Sequence, residues 1–200
     1  MPDLLDHLRR SKAEDCVRCR LHRGRSRLVF GTGNPDADMV LVGEAPGANE
    51  DQTGEPFVGD AGHLLDGFLR RVELAREDLY ICNLLKCRPP GNRDPEPDEI
   101  TACAPFLHTQ LRLIRPKVIV ALGRFAGRVL TGESEDAPLG YMRRHDWFYS
   151  NRTTGVRCPI IVTYHPAYVL RNKGNKQAAK EAATKIMVDL NRAIAVIEGW

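Results

Sequence analysis

Four residues of this chain carry groups suited to recognition and acid–base chemistry, and three of them stand where an apolar run meets a turn. They are Glu44 in "VGEAPG", Phe57 in "GEPFVGD", Asn83 in "LYICNLL" and His165 in "VTYHPAY". Together they offer a carboxylate, an aromatic face, an amide with donor and acceptor side by side, and an imidazole. Phe57 is the odd one. It lies in a Gly- and Pro-rich acidic loop, where a phenyl ring has little reason to sit unless it packs or stacks on something.

A second set is sulfur. Of six cysteines, Cys16 and Cys19 form C-x-x-C, Cys87 follows an apolar run, and Cys103 comes after 15 intervening residues. Cys82 and Cys158 lie in or beside apolar stretches and read as small buried hydrophobes. The first four are candidate thiolate ligands, and their spacing admits zinc and iron–sulfur alike. The long gap requires a fold that brings the N-terminus beside the loop after the second strand.

The elements that must position these residues alternate. Strands are expected over Asp38–Val42, Leu79–Leu85, Lys117–Gly123 and Pro159–His165. Helices are expected over Gly62–Val72, from "PEPDEI" to about Ile114, over Phe125–Leu130 and over Gln177–Ile197. Near-continuous apolar strands separated by helices predict a parallel sheet covered on both faces. Arg88–Pro97 and Glu133–Gly155 are the segments expected to be least ordered. In this scheme Glu44, Asn83, Gly123 and His165 all fall at the carboxyl edge of one sheet, where open parallel sheets bind ligands. Any one of them alone is weak; a His before Pro is most often a turn residue.

The chain has 200 residues, and a single domain over 1–200 is expected. Net charge is +3, too close to balance to name a partner, but Arg gathers in the first 27 residues and between Arg143 and Arg171 while acids gather between Asp36 and Glu99. That distribution fits either a basic face toward an anion or a mixed solvated surface. No apolar run has the length of a membrane span and the N-terminus lacks a signal peptide's apolar core, so no membrane contact is expected and cytosol is the default. Six cysteines there point to metal, catalysis or burial.

The longer motifs carry a resemblance. "GEAPGANEDQTGEPFVGDAGHLL", "LYICNLLKCRPPGNRDP", "ALGRFAG" and "VTYHPAYVLR", in that order, resemble the successive motifs of the family 4 uracil-DNA glycosylases. Cys16, Cys19, Cys87 and Cys103 are similar to that family's [4Fe–4S] ligand set. The resemblance runs roughly from Cys16 to the final helix and leaves Glu133–Gly155 unmatched.

What the resemblance implies is specific. The fold would be α/β, a three-layer α/β/α sandwich around a four-stranded parallel sheet. The activity would be hydrolysis of the N-glycosidic bond of deoxyuridine in DNA, with the target nucleotide flipped out, leaving an abasic site and free uracil. Phe57 would stack on the base and Asn83 would pair with its N3–H and O4. His165 would donate to O2, where charge develops, and Glu44 would stabilise the sugar cation and orient or deprotonate water. Glu50 would shape the pocket or help position the water, and Gly43, Ala45 and Asp51 would join the substrate site. Tyr168, Leu170 and Arg171 would press into the minor groove; the plainer alternative is that Val169 and Leu170 begin packing for the last helix. Arg88, Arg93, Arg143 and Arg144 are generic phosphate contacts, with a solvated face equally open to Arg143 and Arg144. The cluster would be structural, and the protein a monomer in a bacterial or archaeal-type cytoplasm, associated with the nucleoid when acting.

Three other readings make different demands. A covalent uracil-trapping relative needs a His in a loop within Arg88–Ala102, and none is there. An iron–sulfur electron carrier on a flavodoxin-like sheet leaves the four residues of the opening unexplained. A zinc-stabilised nucleic-acid-binding protein without activity predicts zinc at the cysteines.

Overall fold

The computed structural model describes residues 4–151 and 155–199. Its centre is one six-stranded sheet with strands β1 (Thr32–Gly33), β2 (Met39–Gly43), β3 (Leu79–Asn83), β4 (Val118–Leu122), β5 (Trp147–Asn151) and β6 (Val156–Thr163), in the spatial order β1-β3-β2-β4-β6-β5. The four inner strands β3, β2, β4 and β6 are mutually parallel. The two edges, β1 on β3 and β5 on β6, are antiparallel.

The expected four-stranded parallel sheet is therefore corrected to a six-stranded mixed one. Both added strands escape a periodicity reading. Thr32–Gly33 is two residues long, and "WFYSN" lies inside the segment expected to be least ordered. That segment instead folds as helix α6 (Leu139–Arg144) followed by β5; its residues 152–154 lie outside the described ones. Pairing with β5 also carries β6 back to Val156, upstream of the expected start at Pro159. At the other end β3 stops at Asn83 rather than Leu85. The amides of Leu84 and Leu85 still bond the carbonyls of Gly43 and Glu44, at 2.9 and 3.0 Å, but as a loop continuing the ladder.

Burial explains why the inner strands are mostly apolar. In β2, β3 and β4 every residue is buried, and alternate side chains enter opposite cores. Val40, Val42, Tyr80, Cys82, Ile119 and Ala121 face one side, packed with α4 (Pro97–Ile114), α5 (Arg124–Thr131) and α6 through Leu107, Leu111, Ala126 and Met142. Met39, Leu41, Leu79, Ile81, Val118 and Val120 face the other, packed with α3 (Asp60–Arg71) and α8 (Lys176–Glu198) through Leu65, Leu69, Ile186 and Leu190. The result is the expected three-layer arrangement. Shorter helices α1 (Leu4–Leu8), α2 (Ala48–Thr53) and α7 (Pro166–Arg171) sit at the periphery. No helix among the described residues is long and apolar enough to cross a membrane.

Candidate active site

At the carboxyl ends of the parallel strands lies a cavity of about 380 Å³, lined among others by Glu44, Ala45, Glu50, Phe57, Asn83 and His165. Each residue arrives by a short structural device. Glu44 and Ala45 directly follow β2, Asn83 is the last residue of β3, and His165 lies two residues past β6 as the N-cap of α7. Phe57 comes from the loop between α2 and α3.

Gly43, the last residue of β2, lies beneath them. A Cβ there would stand 2.3 Å from Asn83 Oδ1 and 2.6 Å from Phe57 Cζ. The missing side chain is what lets the amide and the ring converge. Asn83 is buried, and its Oδ1 has no hydrogen-bond partner among the described residues. A buried amide oxygen left unpaired is costly unless a ligand or water completes it. Phe57 stacks beside His165, with ring centroids 5.5 Å apart and planes inclined by 26°.

His165 has a defined protonation state. Its Nδ1 accepts the Ala167 amide at 3.1 Å. Burial pulls its pKa down to about 4, the nearby Arg171 adding to the effect and Glu50 opposing it. The ring is thus neutral near pH 7, with the proton on Nε2 as a donor. Glu44 moves the other way. Burial first and Asp94 second push its carboxyl up, against Arg124 and Arg171, to about 7. A carboxylate poised near neutrality in a cleft is suited to proton handling.

Glu50 is held differently. Its Oε1 accepts the amides of Val58 and Gly59 at 3.0 and 2.9 Å, and its Oε2 accepts that of Gly47 at 3.1 Å. It clips the start of α2 to the loop carrying Phe57. Asp51 does not line the cavity; its carboxylate accepts the Ser26 amide at 3.0 and 3.1 Å. Arg171 does line it, while Tyr168 and Leu170 sit on α7 outside the lining. Tyr168 is exposed, Leu170 is half-buried, and Val169 packs into the core with α8. The structure adds wall residues that the motif reading missed, Asn49, Asp60 and Asn92 among them. Asn49 and Asp60 stand in the first turns of α2 and α3, and Asn92 in a short turn after β3, where a single polar residue carries no periodic signal.

The four basic candidates separate. Arg144 is exposed. Arg143 is engaged by the buried Asp189, at 2.6 and 3.0 Å, so it is neither solvated nor free for a phosphate. Arg93 lines the cavity and forks onto the buried Glu99 at 2.9 and 2.6 Å. Arg88 bonds Asn92 at 2.7 Å.

The sulfur set also converges. Cys16, Cys19, Cys87 and Cys103 line one small cavity with Arg18, Lys86 and Phe106. Cys87 Sγ receives Arg25 Nη1 at 3.4 Å, and Cys103 Sγ receives the Lys86 amide at 3.2 Å. Burial raises the thiols of Cys19, Cys87 and Cys103, the last to about 12. Cys82 and Cys158 are buried elsewhere in the core, as expected. Among the described residues no group of three or more His, Cys, Asp or Glu side chains is arranged to hold a metal ion, so the shared cavity is what unites the four.

Comparisons with known proteins show the family. A family model described as the uracil DNA glycosylase superfamily matches residues 30–188. The chain belongs to that superfamily. It is 41% identical over 189 residues to the type-4 uracil-DNA glycosylase of Thermotoga maritima, covering 94% of this chain and 92% of that protein. To the type-4 enzyme of Archaeoglobus fulgidus it is 47% identical over 155 residues, covering 78% of each. To that of Saccharolobus solfataricus it is 41% identical over 172 residues, covering 86% and 80%. Within the superfamily it thus falls with the type-4 members.

Proposed function

We propose that the protein is a type-4, monofunctional uracil-DNA glycosylase acting on deoxyuridine in DNA. The observation that carries this is Asn83, a buried amide whose oxygen has no partner among the described residues, lining one cavity with Phe57, His165 and Glu44. A flipped uracil slides against the Phe57 ring. Asn83 Oδ1 accepts its N3–H and Nδ2 donates to O4, a pattern cytosine cannot match. The neutral His165 donates from Nε2 to O2. The glycosidic bond breaks with its electron pair leaving on the base, and O2 carries much of the charge. The ionised Glu44 faces the sugar cation and takes the proton of the water that adds to C1′. Uracil leaves, and the abasic site remains for base-excision repair.

Cys16, Cys19, Cys87 and Cys103 would hold a [4Fe–4S] cluster. Four cysteines around one cavity, with Arg25, Arg18 and Lys86 beside the sulfurs, suit an anionic thiolate cluster. Its contribution is a crosslink between the N-terminal segment, the loop after β3 and α4; the hydrolysis itself moves no electron. We take the chain as a single domain and a monomer that works in the cytoplasm, at the nucleoid when on DNA.

The test is cleavage of a labelled oligonucleotide containing one deoxyuridine, by wild type and Glu44→Ala, with and without alkali. Alkali-dependent strand scission that is lost in the variant is expected. An SDS-resistant complex without scission would favour covalent trapping, and the absence of both scission and complex would favour an electron carrier. Iron and sulfide analysis is expected to find both elements; zinc in their place would overturn the cluster assignment.

A further inference from the structure

Phe57 is held in a conformation that its side chain disfavours. Its φ is +55°, in the left-handed region where a bulky residue is a true outlier. Such a residue persists only where its surroundings over-determine it. Two features do so. Gly62, in the first turn of α3, lies so close that a Cβ would stand 1.8 Å from the Phe57 carbonyl oxygen. Arg76, just before β3, donates from Nη1 to the Pro56 carbonyl at 3.2 Å and from Nη2 to the Phe57 carbonyl. The guanidinium is itself anchored, Nε to Asp66 Oδ1 at 2.6 Å. Both Arg76 and Asp66 are half-buried. Neither lines the cavity.

We infer that Arg76 is the positioning residue for the base-stacking ring. It captures two consecutive carbonyls from behind the loop, so the left-handed turn at Phe57 is retained and the ring stays beside His165. Only a rigid fork reaches both carbonyls while bonding Asp66; a Lys ammonium would serve them as a point charge. Glu50 holds the next two amides from the other side. The loop is thus pinned through its carbonyls by Arg76 and through its amides by Glu50. This inference rests on the reading of Phe57 as a stacking platform.

The test is a double-mutant cycle in kcat/KM for release of uracil from a deoxyuridine oligonucleotide, using Arg76→Met, Phe57→Ala and both together. Phe57→Ala is expected to lose about 5- to 150-fold, the range of one base–aromatic stack. Arg76→Met is expected to lose up to as much alone and nothing further in the Phe57→Ala background. Arg76→Lys should fall between wild type and Arg76→Met. Hydrogen exchange at the Val58 and Gly59 amides, measured without DNA, should quicken in Arg76→Met. Equal losses in both backgrounds, or an unchanged rate with unchanged exchange, would overturn the inference. If Arg76→Met does not fold, Asp66→Asn takes its place in the same cycle, with a smaller loss expected to vanish in the Phe57→Ala background. Wild type without activity would sink the glycosylase reading instead, while the exchange measurement would still decide whether Arg76 holds the loop.

Discussion

The ammonium of Lys86 lies 2.7 Å from the backbone carbonyl of Asn83. Lys86 is fully buried, and Nζ also donates to Gln110 Oε1 at 2.6 Å above the face of Phe30. Gln110 in turn donates to the Phe30 carbonyl and to the Tyr80 hydroxyl. The residue carrying the site's amide is therefore braced from inside the core by a network reaching α4. Burial pulls the Lys86 pKa down, and the two hydrogen bonds from Nζ offset part of the cost of burying it. Lys86→Met leaves two buried acceptors without their donor. A loss of about 1–3 kcal/mol in urea denaturation is expected; an unchanged midpoint would show that the core re-satisfies both.

Glu44 sets a pH dependence. Its carboxyl titrates at about 7 when folded, and the proposed step needs it ionised. Activity at low substrate should rise with pH to a plateau above that value. Replacing the neighbouring charge by Asp94→Asn removes a raising influence, so the rise should move to lower pH. A profile that does not shift would mean that Asp94 is not felt at Glu44. The stability linkage runs oppositely. A carboxyl whose folded pKa is raised from 4.5 favours the folded state while protonated, so its contribution declines as pH climbs from about 4.5 through 7.

Gly43→Ala tests convergence in the site. Its Cβ would meet Asn83 Oδ1 and the Phe57 ring at 2.3 and 2.6 Å, and Asn83 has little room to move. Uracil release should fall at least about tenfold, on the scale of losing one placed catalytic group. A wild-type rate would show that the two side chains yield without consequence.

Glu99 tests the cavity wall. It is buried and accepts both arms of Arg93 and the Glu96 amide. The Arg93 hydrogen bonds hold its pKa below the usual carboxylate value, against desolvation. A depressed folded pKa gives stability that is present above the unfolded value of 4.5 and lost as pH falls through the folded one. Glu99→Gln should cost about 1–3 kcal/mol at pH 7 and proportionally less toward pH 3. A difference between variant and wild type that stays constant over that range would contradict the ionised pair.

Asn83→Asp tests base recognition. One donor becomes an acceptor, so discrimination of uracil from cytosine should weaken. An unchanged ratio of the two rates would remove Asn83 from that role.

Much of this was legible in the order of residues. The inner strands bury most of both faces, so each carries a near-continuous apolar run, and the polar residue at or just past the end of each run falls at one sheet edge; Glu44, Asn83 and His165 could be assigned to a common rim for that reason alone. The C-x-x-C pair and the two later cysteines could likewise be grouped, although spacing left the metal open. Other features lay beyond sequence. A two-residue edge strand has no periodicity to detect, and β5 exists because β6 offers it an antiparallel partner. Arg143 reads as surface charge until α6 folds against Asp189. Asp51 and Glu50 are neighbouring carboxylates in one motif, yet one caps Ser26 and the other ties the Phe57 loop to α2. The turn at Phe57 depends on Gly62, Asp66 and Arg76, residues 5, 9 and 19 positions away. Local pattern reports which side chains must be buried. Which backbone groups those side chains then hold is a matter of distances across the fold, and only packing sets those.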